Sequence, residues 1–144
     1  MKKTTDNKGF SLIELIIVIA IMAVLVAIIA PNLTKYLGSS KKNTDVKNAD
    51  EIAATLKTCI TDYEMDPAHG SLFSKGDSTG ITLTWDGSTC GATNTDFKDL
   101  VDAAIDPSKP KSKETNAYGT AKITTDANGT YIIEVTIGNE SAKN

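Results

Sequence analysis

A chain of 144 residues with 18 acidic and 15 basic side chains, a net charge of −3 and one histidine has room for a single domain and a short extension. Every base is lysine and the balance is acidic, which argues against a nucleic-acid binder, because affinity for phosphate backbones calls for a positive face. Apolar residues crowd the N-terminus and only 6% of residues are aromatic, so the C-terminal part has a modest core.

Lys2, Lys3 and Lys8 precede the first element, opposed only by Asp6. From Leu12 to Ala30, 18 of 19 residues are apolar, and the exception is Glu14. A helix over residues 10–33 would be about 36 Å long at roughly 1.5 Å per residue, enough to cross a hydrocarbon core of about 30 Å. The positive flank places the N-terminus in the cytoplasm and the bulk of the chain outside. A secretory signal fits poorly, because the run exceeds an apolar core of about 7–15 residues and Ala27-Ile28-Ile29-Ala30 meets Pro31 at once. An uncleaved single-pass anchor stays open as an alternative. A carboxylate at the centre of a membrane helix costs on the order of 2.5–3.5 kcal/mol and less at the interface, so Glu14 is either paired or snorkels to the headgroups.

Pro31 removes a helix hydrogen bond and either kinks a longer helix or ends the span. Periodic apolar residues continue past it, from Leu33, Tyr36 and Leu37 to Ala49, Ile52, Leu56, Cys59, Ile60 and Tyr63, at the three- and four-residue spacing of one helix face. The pattern predicts a long helix from Phe10 to about Met65, kinked at Pro31, amphipathic over 34–66 and ended by Pro67.

Beyond it, Ile81, Leu83 and Trp85 alternate with Thr82 and Thr84, a half-buried strand. A short helix is predicted over 96–105, with Thr95 as its N-cap and Pro107 beyond its end. Residues 106–118, rich in Pro, Ser and Lys, read as an exposed loop. Segments 119–125 and 130–137 flank Asp126-Ala127-Asn128-Gly129, a hairpin loop whose Asn-Gly supplies positive φ. Residues 67–144 thus form a head of three or four antiparallel strands laid on the distal half of the helix, an α+β fold.

Material for chemistry is scarce. His69 has no cysteine near it and reads as an exposed loop residue. Asp62, Glu64 and Asp66 start like a calcium loop, but Pro67 and Phe73 stand where glycine and glutamate are needed. Loop acids such as Asp77 and Asp86 leave a calcium site open. Lys109, Lys111 and Lys113 read as a solvated loop and not a DNA-binding patch, since no aromatic residue interleaves them. Cys59 and Cys90 either form one disulfide, worth roughly 3–4 kcal/mol by loop closure, or stand as two buried thiols. No catalytic residue, metal or cofactor is expected.

The stretch Lys8-Gly9-Phe10-Ser11-Leu12-Ile13-Glu14 resembles the leader and cleavage signature of type IV prepilins and of the related pseudopilins, with Ser11 where threonine is more usual. The resemblance implies a pilin fold, a cytoplasmic leader over 1–9, a membrane-spanning and fibre-core half-helix over 10–33, and a globular head. It further implies that a membrane-embedded peptidase cuts between Gly9 and Phe10 and N-methylates Phe10. Glu14 of an incoming subunit would then meet the terminal amine of Phe10 on its predecessor. The implied partners are identical subunits, the peptidase, and an inner-membrane assembly platform with its ATPases; no direct nucleic-acid contact is implied. The expected function is a non-enzymatic subunit of a type IV pilus, moving from the cytoplasmic membrane to an extracellular filament, with adhesion, motility, DNA uptake and secretion all open as its use. The alternative is a pseudopilin of a type II secretion or competence (DNA-uptake) apparatus.

Overall fold

The computed structural model describes residues 9–74 and 76–143, so the predicted leader lies outside the described residues except for Gly9. The chain divides at Leu37/Gly38 into two compact units, and helix α1, Leu12–Met65, begins in the first and ends in the second.

In the first unit, α1 opens with the glutamate half of a capping box. Ser11 precedes the helix, its carbonyl accepts from Leu15 N–H at 3.3 Å, and its own N–H donates to Glu14 Oε2 at 2.9 Å. No glycine or proline interrupts the run until Pro31, and there the helix continues instead of ending. Side-chain donors crowd the carbonyls around that proline: Asn32 Nδ2 reaches Ile28 O at 3.4 Å, and Thr34 Oγ1 reaches Ala30 O at 2.8 Å and Pro31 O at 3.1 Å. Such donors are one way a helix tolerates the loss of a main-chain bond in an apolar setting.

In the second unit, the remainder of α1 buries Asp45, Ala49, Ile52, Ala53, Leu56, Cys59 and Ile60, one face at helical spacing. Strand β1 (Ile81–Trp85), β2 (Cys90–Gly91), β3 (Thr120–Thr125), β4 (Tyr131–Ile137) and β5 (Glu140–Lys143) form an antiparallel sheet ordered β2-β1-β3-β4-β5. Its buried face follows from the period of two. Ile81 pairs with Ile123 and Ile123 with Ile133, while Ala121 lies between Leu83 and Val135. These side chains share one core with Leu56, Ile60 and Phe97, and each fully buried large side chain contributes about 1.5–3 kcal/mol.

The sheet has five strands where three or four were expected. β2 is only two residues long, and β5 (Glu-Ser-Ala-Lys) offers a single apolar side chain, Ala142. β5 forms because Gly138, at φ 62°, makes a two-residue turn with Asn139 that pairs Ile137 with Glu140. In the β3–β4 loop only Gly129 takes positive φ, at 87°, while Asp126 Oδ1 organises the turn by accepting from Asn128 and Thr130 N–H.

Helix α2 spans Thr95–Ala104, one residue earlier than predicted, because Asn94 and not Thr95 is the cap. Its side chain accepts from Phe97 N–H at 3.0 Å. The 106–118 segment is also corrected. Its tip is exposed, but Pro110 and Ser112 are buried and Lys111 bridges to Tyr118.

Candidate functional site

The residues that the sequence singled out near the N-terminus lie in an exposed stretch. Phe10 is 93% exposed, and in the most apolar window of α1 no residue is buried. Glu14 Oε2 is engaged by Ser11 N–H, and Oε1 has no hydrogen-bond partner among the described residues. Gly9 is exposed, and a side chain there would meet nothing within 4 Å. The fold therefore makes no steric demand for glycine at that position.

The strongest polar constellation in the head was not anticipated. Asp45 is 1% exposed, and its carboxylate accepts from Ser112 Oγ at 2.6 Å, Lys113 N–H at 2.7 Å and Glu114 N–H at 3.4 Å. Ser112 Oγ in turn accepts from Glu114 and Thr115 N–H at 3.1 and 2.9 Å. One helix carboxylate thus straps a whole turn of the 112–117 loop, in which Asn116 takes φ 60°. The signal was in the sequence: Asp45 sits four residues before Ala49 and seven before Ile52, on the apolar face itself.

His69 is half-buried and not an exposed loop residue. Its ring stacks on Tyr63 at 4.3 Å, with Asp66 3.6 Å from Nδ1 and Asp96 3.7 Å from Nε2. The two carboxylates flank opposite nitrogens, so they cannot converge on one ion. Glu64 bonds the Tyr131 hydroxyl, Ser71 and Leu72 N–H; the tyrosine holds this carboxylate below its ordinary range.

Asp77 and Asp86 serve turns. Asp77 Oδ1 accepts from Thr79 and Gly80 N–H, and Asp86 Oδ1 from Ser88 and Thr89 N–H. No cluster of three metal-ligating side chains occurs among the described residues.

Cys59 and Cys90 are both buried, and each is a free thiol in this structure. Cys59 lies on the buried face of α1. Cys90 is fixed in β2 by its N–H to Asp102 Oδ1 at 2.8 Å, and its Sγ points to Gly91 O at 3.8 Å. Burial, aided by Asp102, pushes the Cys90 thiol up to about 11, and burial raises Cys59 as well.

Residues 4–30 match the family description "Prokaryotic N-terminal methylation motif". A type IV major fimbrial protein FimA of Dichelobacter nodosus is 36% identical over 56 residues, 39% of this chain and 36% of that protein. A fimbrial protein of the same organism is 34% identical over 120 residues, 80% of this chain and 70% of that protein. The type II secretion system core protein G of Escherichia coli (strain K12) is 32% identical over 76 residues, 53% of this chain and 50% of that protein. No solved structure matches.

Proposed function

This chain belongs to the type IV pilin and pseudopilin family, and we propose on that footing that it is the structural subunit of a type IV pilus. It is a structural protein and not an enzyme. In the precursor, residues 10–33 cross the cytoplasmic membrane with the lysine flank inside. A prepilin peptidase removes residues 1–9 and N-methylates Phe10. The trimmed helix then leaves lipid for a core of like helices, with the assembly platform and its ATPases supplying work. Apolar contact changes little in that transfer, so packing and polar pairing set specificity.

The observation that carries this reading is the fully exposed apolar half of α1 with one carboxylate near its start. Glu14 caps its own helix through Oε2, which offsets part of the cost of carrying a carboxylate there. Oε1 is left to accept from the amine that cleavage would create on Phe10 of a neighbour. Pro31, flanked by Asn32 and Thr34, is the proposed kink. The open space around Gly9 fits a glycine retained for a peptidase that needs bare backbone.

The likeness to a type II secretion system core protein favours one second reading, a pseudopilin building a short piston from the same N-terminus. Shearing cells, imaging the released fraction and taking the intact mass of its main small protein separates the two. Abundant filaments of a chain that begins at N-methylated Phe10 are expected. A trimmed chain confined to the membrane fraction would favour the pseudopilin, and an untrimmed chain would overturn both. Replacing Gly9 with valine blocks trimming, so the mass of that variant retains the leader.

A further inference from the structure

The head carries two oppositely charged patches on the side where α2 runs antiparallel to α1. At the start of α2, Asn94 Nδ2 meets the Tyr63 hydroxyl at 3.3 Å and Asp96 faces His69. At its end, Ala104 and Ile105 line a groove with Ile52 and Thr55 of α1.

That groove, about 470 Å³, lies between Thr44, Asn48 and Glu51 of α1 and Lys109, Lys111 and Lys113 of the strapped loop. Lys111 Nζ sits 5.0 Å above the Tyr118 ring, and among the described residues none of these three ammonium groups is in an ion pair. The acids in the same wall are Glu51 and Asp106, and Asp106 is occupied by Ser108 N–H and Oγ. Three lysines against these two carboxylates leave the lining with a net charge of +1. Its backbone is fixed, because Asp45 holds the loop through Ser112 and Lys113 N–H.

The other end is acidic. Asp62, Asp66, Asp96 and Asp99 are exposed, and the last turn of α1 carries no basic residue to answer its free carbonyls. Lys98 bonds Asp102 at 2.6 Å and lies 3.9 Å from Asp99, and this one ammonium set against Asp96, Asp99 and Asp102 on the same helix leaves the end acidic. From Asn48 and Glu51 to Asp62 and Asp66 the rise along α1 is about 20 Å.

Two complementary patches about 20 Å apart along α1 can pair reciprocally in an antiparallel two-fold dimer or one to one between axially shifted copies; in a polymer whose α1 helices run the same way only the shifted contact is open, and it is heterologous and propagates. We propose that the lysine groove receives the acidic end of a second copy of this chain, so that the heads set axial register in the polymer. The inference rests on the polymer reading above and names the surface that reading leaves open.

The test uses full-length chain in cells. Carbodiimide treatment of mixed isotope-labelled copies should join Lys109 or Lys113 of one copy to Asp62 or Asp99 of another, read by mass spectrometry in membrane assemblies and filaments alike. A groove variant (K109E with K113E) and an end variant (D62K with D99K) should each lose the cross-link and reduce sheared filaments about tenfold or more. Expressed together, they should recover assembly, because the acidic groove of one meets the basic end of the other; that recovery also shows both fold. Full assembly by either variant alone, no recovery on mixing, or groove lysines cross-linked to another protein or to none would overturn the contact. Absence of sheared filaments in the unaltered chain counts against the pilus, while the cross-link still judges the contact.

Discussion

Between Leu12 and Ala30 no side chain of α1 is buried, whereas between Asp45 and Ile60 the same helix buries seven. The more apolar segment is the bare one. Its solvent cannot be water at the concentration of a folded protein, since a contiguous exposed apolar surface of this size marks a membrane or protein contact. The head instead covers its apolar face with its own sheet and spends its polar groups on internal turns. One half of the helix is finished by its surroundings and the other by its own chain, so a change in one half should leave the other intact.

The largest expected effect falls on the bare half. Glu14→Val makes that segment more apolar and should improve its insertion, yet sheared filament should fall about tenfold or more because the proposed pair with a neighbour's Phe10 amine is lost. Glu14→Gln keeps an acceptor for Ser11 N–H and loses the charge. Filament loss in both variants assigns the effect to charge; recovery in Gln alone assigns it to the helix cap. Head stability, followed by thermal unfolding, should not move in either.

Asp45→Ala should do the converse. It leaves Ser112 and the Lys113 N–H without their acceptor and should cost the head about 3 kcal/mol, which lowers its thermal midpoint by roughly 12–20 °C. Membrane insertion should be unchanged. An unshifted midpoint would mean that the loop finds other partners.

The thiols give a smaller, kinetic readout. Both lie in the core, and the Cys90 thiol is raised to about 11, so alkylation near pH 8 should be slow in the folded chain and fast in urea. A mass deficit of about 2 Da in the unreduced protein would restore the bond instead.

The smallest effect is on pH dependence, and it belongs to the head alone. Tyr131 lowers the Glu64 value, the Thr89 and Ser88 amides lower Asp86, and the Thr130 amide lowers Asp126 against the effect of burial. Folded values below the ordinary carboxylate range of about 4 mean that the unfolded chain binds protons first as pH falls. That stability is present at neutral pH and is lost as pH drops below about 4 through the folded values. Lys98, raised mainly by Asp102, works in the opposite direction: its contribution holds below the ordinary lysine value of about 10.4 and is lost above it. Thermal midpoints at pH 7, 4 and 3 test the acid limb.

The long helix, its end near Met65, the β1 alternation and the β3–β4 hairpin were legible because each is a local pattern repeated over many residues. What escaped was short or non-local. β5 has one apolar residue and exists through the Gly138 turn. The α2 cap moved from Thr95 to Asn94 because both are good capping residues and only geometry chooses between them. Asp45 sat in plain register with Ala49 and Ile52, but a carboxylate in an apolar stripe gains meaning only once its acceptor-seeking loop, some 67 residues later, is in place. His69 was read as exposed because nothing in the sequence brings Tyr63 and Asp96 to it.

Asp45 is the first buried residue met along α1 from its N-terminus. A pull along the helix axis would enter the head there, across Ser112, Lys113 and Glu114 at once. Bonds loaded side by side share force, where bonds opened one after another do not. The strap that fixes a loop at rest is thus also the joint through which a filament under tension would transmit load to its surface.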